Sequence, residues 1–339
     1  MSEIEKIAKQ IIAKGRGILA ADESTGTMTK RLSSVNVEST AENRLKFRET
    51  LFSSEGMKNY IGGVILYDET IKQKTSSGKT IPELIESSGS IPGIKVDTGA
   101  KKLAGSPEEK ITEGLDGLRE RLTEYYKLGA RFTKWRAVYN ISDKFPSELS
   151  IKSNAHALAR YAALAQEAKM VPIVEPEVLM DGHHDINKCY EITSKVLKEC
   201  YKELALHKIN LKGTLLKPNM ILPGDKSKNK SNSLEIAKMT IKCLKENVPS
   251  EVPGIAFLSG GQTEVEATQN LNEINKINDT NFLMSFSYGR ALQQSALKNW
   301  AKNIEETSNA QKIFNHRSKM NGLSTTAKWN IKLENQISA

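Results

Sequence analysis

The chain predicts an α/β fold, a parallel eight-stranded (β/α)8 TIM barrel with an N-terminal helix and a C-terminal tail. Two observations predict it. Short apolar runs recur eight times, each followed by a segment of helical periodicity, and strands that alternate with helices pair in parallel. Six of the eight runs also carry charged or small polar residues toward their carboxyl ends, the rim on which barrel active sites are built. A closed barrel accounts for eight such units better than an open doubly wound sheet, and 339 residues fall within the span of one barrel. No linker divides the chain, so residues 1–339 read as one barrel domain, with about 305–339 as a C-terminal helix and tail. The last thirty or so residues lack clear periodicity and are expected to be extended or mobile.

In chain order, MSEIEKIAKQIIAKG reads as an amphipathic helix with Ile4, Ile7, Ile11 and Ile12 on one face. It has no apolar core leading to a small-residue cleavage site, so secretory export is not expected. The eight strand runs are 17–22, 61–69, 93–97, 131–138, 171–177, 213–219, 254–261 and 281–289. Between them Leu158, Tyr161, Ala165 and Ala168 mark one helix face, Val196, Cys200 and Leu204 a second, and Leu234, Ala237, Ile241 and Leu244 a third. Thr263 with Glu266 forms a capping box that opens the helix after the seventh strand. Residues 75–93 read as a longer connection with one short turn, and GDKSKNKSNS (224–233) as a solvated loop.

Hydrophobic content of 38% with 26% charged residues is that of an ordinary globular protein. No apolar run is long enough to span a membrane. Cys189, Cys200 and Cys243 lie in helical segments without metal or redox spacing, which predicts reduced thiols and a cytoplasmic setting. The net charge of +9 comes from 49 basic against 40 acidic residues. They are scattered, without a basic block or interleaved aromatics, so the charge argues for an anionic small substrate over nucleic acid.

The strand ends hold the chemistry. Asp22 ends the first strand, Lys95 lies in the third, Lys134 and Arg136 in the fourth, and Glu175 and Glu177 in the fifth. Lys217 ends the sixth, Ser259-Gly260-Gly261 the seventh, and Arg290 follows the eighth. Side chains alternate along a strand, so Lys134 shares a face with Arg136, and Glu175 with Glu177. Charges inside apolar strands are costly unless they meet partners. Taken singly, each residue has a plain explanation as a solvated rim group, a tight turn or a cap. Together they form a basin of cations and carboxylates around Lys217, whose desolvated position disfavours the ammonium form, as an amine nucleophile requires. The glycine-rich turn before the Thr263 cap, with Gly289 and Arg290 after the eighth strand, offers backbone N–H groups and a guanidinium to a phosphate. In DGHHD (181–185), adjacent His183 and His184 diverge and lack the spacing of a zinc motif, so no metal is assigned.

ILAADESTGTM, GIKVDTG, FTKWRAV, VPIVEPEVLMDG, GTLLKPNM, FLSGGQ and SFSYGRALQ closely resemble the class I fructose-1,6-bisphosphate aldolases. The resemblance covers about residues 10 to 330 and implies reversible cleavage of fructose 1,6-bisphosphate to dihydroxyacetone phosphate and glyceraldehyde 3-phosphate, in glycolysis and gluconeogenesis. By that resemblance Lys217 is the Schiff-base lysine, Glu175 the acid/base of carbinolamine chemistry with Glu177 beside it, and Asp22 the carboxylate at the C3–C4 bond. Lys134 keeps the site positive. Ser259, Gly260, Gly289 and Arg290 resemble the C1-phosphate site, and Ser24, Thr27, Arg31, Lys95 and Arg136 the region of the C6 phosphate and hydroxyls. The resemblance further implies no cofactor, a homotetramer, and no nucleic-acid or membrane partner.

One departure stands out: animal and plant members end in a tyrosine thought to help protonate the enamine, whereas this chain ends NQISA. Another route for that proton is therefore expected. Two other readings stay open at the level of sequence. One is a different Schiff-base lyase, transaldolase-like, and the other an added scaffold role toward cytoskeletal or adhesin partners.

Overall fold

A computed structural model describes residues 1–336. Its strands are β1 (Gly17–Ala21), β2 (Ile61–Leu66), β3 (Ile91–Lys95), β4 (Gly99–Leu103), β5 (Ser106–Glu113), β6 (Phe132–Tyr139), β7 (Val171–Val178), β8 (Leu215–Leu216), β9 (Gly254–Phe257) and β10 (Leu283–Tyr288). The helices are α1 (Glu3–Ile11), α2 (Thr25–Ser33), α3 (Ala41–Phe52), α4 (Glu55–Tyr60), α5 (Asp68–Ile71), α6 (Ile81–Ser87), α7 (Leu118–Lys127), α8 (Glu148–Glu167), α9 (Ile186–Leu206), α10 (Ser233–Asn247), α11 (Glu264–Ile277), α12 (Arg290–Trp300) and α13 (Ser308–Ser324).

Eight strands close a barrel in the order β1-β10-β9-β8-β7-β6-β3-β2, and every neighbouring pair is parallel. Every residue of β1, β2, β7 and β9 is buried, because helices cover the outer face and side chains fill the inner one. The remaining pair, β4 and β5, forms an antiparallel hairpin between β3 and α7. The sequence reading missed it. Its faces carry Lys101, Lys102, Glu108 and Lys110, so no apolar alternation announces it.

The barrel interior is layered. Ile18, Ala20, Ile65, Phe132, Val171, Ile173, Leu215 and Ala256 form an apolar floor, sealed from below by Ile7, Ala8, Ile11 and Ile12 of the N-terminal segment. The helix expected there thus forms, and its isoleucine face is the bung of the barrel. Each fully buried isoleucine contributes roughly 1.5–3 kcal/mol. Gly62 permits the approach, since a Cβ there would collide with the Ile11 carbonyl.

Two expectations about helices are corrected. Leu234 is 45% exposed. Leu234 shares a side of α10 with Ala237 and Ile241 but stands in the first turn, ahead of the buried residues Ile236, Ala237, Thr240, Ile241 and Leu244, so its exposure follows from its place at the helix end. The last thirty or so residues, expected to be extended or mobile beyond a C-terminal helix, are helical as far as Ser324, and α13 packs against α12, α4 and α11. Its buried positions include Arg317, Ser318, Asn321, Gly322 and Ser324, small or polar groups that hide the periodicity. Beyond it Trp329 is buried, and Glu334 accepts hydrogen bonds from Arg317 (2.6 and 2.7 Å) and from Trp329 Nε1 (2.7 Å). The expectation about how the chain ends concerns residues 337–339, which lie outside the described residues.

Candidate active site

The alternation that builds the floor also builds the site. Phe132 and Ile173 point into the floor, so Lys134 and Arg136, and Glu175 and Glu177, point inward above them, while Trp135 and Val174 face the outer helices. Likewise Ile18 and Ala20 lead to Asp22, and Leu215 leads to Lys217. Two residues further along each strand, the lining changes from aliphatic to ionic.

Lys217 is only 4% exposed and its backbone N–H donates to the Val174 carbonyl at 2.8 Å, so the strand pairing carries the lysine to the centre of the rim. Its Nζ lies 3.4 Å from Glu175 Oε1. On the other side of Glu175, Lys134 Nζ stands 3.5 Å from Oε2 and 2.6 Å from Asp22 Oδ2. The four form an alternating row, Lys217, Glu175, Lys134, Asp22, in which each buried charge faces an opposite one. Such pairing is what offsets the desolvation of ions in a barrel interior.

Burial works against the charged forms here, and the neighbours overrule it. The ammonium groups of Lys134, Lys217 and Lys95 hold the Asp22 carboxyl far below the usual carboxylate range despite its burial. Asp22, Glu175 and Asp97 hold Lys134 above the usual lysine range against the same desolvation. Glu175 Oε2 has no hydrogen-bond partner among the described residues. A buried carboxylate oxygen without a donor beside a lysine amine is placed to exchange a proton with a bound group.

Around this row the cavity, about 1120 Å3, has two basic ends. On the β3–β6 side, Lys95 Nζ pairs with Asp97 Oδ1 at 2.8 Å, and Arg136 Nε with Glu177 Oε2 at 2.5 Å. On the β9–β10 side lie Ser259, Gly260 and Gly261, the last two at φ +56° and +87°, with Gly289 and exposed Arg290 at the start of α12. The capping box at the start of α11 forms as expected: Thr263 Oγ1 accepts from Glu266 N at 3.2 Å and Glu266 Oε2 from Thr263 N at 2.9 Å. Ser24 caps α2 by accepting from Thr27 N, and both hydroxyls line the mouth of the cavity. Arg31 is separated from Lys95 and Arg136, with which the resemblance grouped it. It pairs with Glu23 and lies beside Gly289, at the opposite end of the cavity.

Sequence reasoning gave no role to three residues that support these groups. Asp97, inside the third run, also accepts from the Arg136 backbone N–H at 3.3 Å. Glu23 stands behind Arg31; Gln293 Nε2 reaches it at 3.2 Å, and fully buried Arg48 donates to its carbonyl at 2.9 Å. Glu23 lay in view within ADES, but Arg48 lies in a helix whose sequence shows nothing unusual. In DGHHD, His183 Nδ1 meets the Lys226 carbonyl at 3.1 Å, and no metal-binding cluster of described residues includes either histidine.

Comparison with known proteins agrees with this geometry. Residues 3–339 match the family described as "Glycolytic: Fructose-bisphosphate aldolase class-I". A cytosolic fructose-bisphosphate aldolase 5 of Arabidopsis thaliana is 53% identical over 328 residues, covering 96% of this chain and 91% of the relative. A probable fructose-bisphosphate aldolase class 1 of Xanthomonas campestris pv. campestris is 50% identical over 330 residues, covering 97% and 99%. The solved fructose-bisphosphate aldolase of Plasmodium falciparum, in complex with TRAP and a small-molecule inhibitor, superposes with a TM-score of 0.95 at 44% identity, covering 97% of this chain and 95% of that one.

Proposed function

The chain belongs to the class I fructose-bisphosphate aldolases, carbon–carbon lyases, and on that premise we propose which of its residues carry each step. The observation that supports the assignment best is the row of Lys217, Glu175, Lys134 and Asp22 at the rim of the barrel.

Lys217 passes a proton to Glu175 and then attacks the C2 ketone of fructose 1,6-bisphosphate as the free amine. Glu175, 3.4 Å from Nζ, relays the protons of carbinolamine formation and gives one to the departing hydroxyl, which leaves as water and generates the iminium. Asp22, kept ionised, takes the C4 hydroxyl proton as the C3–C4 bond breaks. The bonding electrons flow into the iminium to form a neutral enamine, and glyceraldehyde 3-phosphate departs. Protonation at C3 and hydrolysis of the imine then release dihydroxyacetone phosphate and return the amine. Lys134 holds Asp22 in its basic form and presents a fixed positive charge to the substrate oxygens. Glu177 fixes Arg136, and Asp97 fixes Lys95.

The two basic ends of the cavity suit the two phosphates. We assign Ser259, Gly260, Gly289 and Arg290, with Arg31, to the C1 phosphate, and Lys95, Arg136, Ser24 and Thr27 to the C6 phosphate and the hydroxyls. We read residues 1–339 as one domain that acts in the cytosol as a homotetramer, in keeping with the cytosolic relative. Sedimentation at micromolar concentration tests the tetramer. No described helix is long and apolar enough to cross a membrane. The Plasmodium relative's complex with TRAP and the net charge of +9 support an added role in binding a protein partner. Salt that abolishes partner capture without loss of turnover is its expected signature.

The decisive experiment is borohydride reduction with dihydroxyacetone phosphate in EDTA, followed by peptide mapping. A single adduct on Lys217 is expected, and an adduct elsewhere or none overturns the assignment.

A further inference from the structure

A second cluster of ligand-forming side chains lies outside the barrel. His156 stands on α8, and Glu203 and His207 lie one turn apart at the end of α9, the neighbouring outer helix. One ligand atom from each lies within 4.8 Å of the other two. His156 Nδ1 is 3.2 Å from Glu203 Oε2, close to the roughly 3.3 Å between two ligands of a tetrahedral zinc. His207 is already oriented: its Nδ1–H donates to the Glu203 carbonyl at 2.9 Å, the kind of support that metal-binding imidazoles use, and Nε2 keeps its lone pair.

The charges point the same way. The protein carries 49 lysines and arginines, yet among the described residues the Glu203 carboxylate pairs with none of them and faces only the two imidazoles. Its side chain is 16% exposed, while the lysine just before it in the helix, Lys202, turns to Glu199. A largely covered carboxylate flanked by two nitrogen donors, open to solvent through exposed His156, has the composition of a three-ligand site with room for water. The three cysteines, the competing soft ligands, are buried.

We propose that His156, Glu203 and His207 bind one borderline transition-metal dication of the zinc or nickel class, with water completing the shell. The ion joins α8, which follows the strand bearing Lys134 and Arg136, to α9, which follows the strand bearing Glu175 and Glu177. It takes no part in the aldol chemistry and is independent of that assignment.

The test is calorimetric titration of the EDTA-treated, desalted full chain with Zn2+ and with Ni2+, alongside thermal unfolding. One equivalent and a rise in Tm are expected for the wild type, with affinity falling more than about tenfold in His156→Ala, His207→Ala and Glu203→Gln. His183→Ala, in the loop near the cavity, is expected to bind as the wild type does. Turnover by the three cluster variants stays at the wild-type level, because they lie on the outer helices. Absence of stoichiometric binding, or equal affinity in the cluster variants, overturns the proposal and leaves the trio as an ordinary surface hydrogen-bonded cluster.

Discussion

The floor and the rim of this barrel are built by the same strands and have opposite chemistry. Below, Ile18, Phe132, Ile173 and Leu215 meet the isoleucines of the N-terminal segment in a dry, close-packed layer. Above, the same inward-facing positions continue as Asp22, Lys134, Glu175 and Lys217, ionic, and buried except for the partly exposed Asp22. The lower layer holds the strands in place without specifying any reaction. The upper layer tolerates buried charge because the lower one fixes the backbone on which each ion meets its partner. Stability and catalysis are therefore expected to separate by depth along a strand.

The largest effect that would test this separation is on turnover. Lys217→Met is expected to lower kcat by about 10^4-fold or more, because no other amine replaces the nucleophile. Glu175 still faces Lys134 in that variant, so the fold should survive. Steady-state rates with circular dichroism check both halves, and wild-type-like turnover would refute the role of the lysine. In the floor, Ile11→Ala is expected to cost about 2–5 kcal/mol of stability with kcat per folded molecule unchanged. Urea unfolding read beside active-site titration decides it; a fall in kcat at constant fold would join the two layers.

A smaller effect concerns pH. The Asp22 carboxyl is depressed in the folded state, so its contribution to stability is present above its unfolded value, near 3.9, and is lost as the pH falls below it. Lys134 is raised, so its contribution is complete below the ordinary lysine value and disappears only as the pH climbs past it. Between about pH 4 and 10 the pair should leave stability nearly flat. Unfolding free energies measured from pH 2 to 7 should fall less steeply in Asp22→Asn than in the wild type, and parallel acid limbs would remove Asp22 from the balance. The smallest effect is expected from Arg31→Lys, which keeps the charge beside Gly289 but loses the planar fork. KM should rise about tenfold with kcat held within a few-fold, as read from initial rates.

Much of the site was legible because its residues sit where apolar strand patterning stops. A lysine after Thr-Leu-Leu, or glutamates spaced by two in Val-Pro-Ile-Val-Glu-Pro-Glu, violates the local pattern and so marks itself. Supporting residues do not. Arg48 looks like any charged residue on a helix, and only the burial of α3 shows that it carries Glu23 and, through it, Arg31. The β4–β5 hairpin and the full length of α13 escaped for a related reason, since both are held by polar or small side chains that leave no apolar rhythm.

Sequence alone determined the eight-unit barrel, the inward face of each strand and the identity of the ions on it, because period-two alternation is local and needs no partner to be read. Which ion meets which was decided by the closed barrel. Only the register of β6 against β7 and the return of β8 beside them bring Lys134 and Lys217 to the two sides of Glu175, and only the closure of the barrel, with β2 and β3 between β1 and β6, brings Asp22 to Lys134. Those distances set the protonation states, because electrostatic coupling between buried groups depends on separation in space and is blind to separation along the chain.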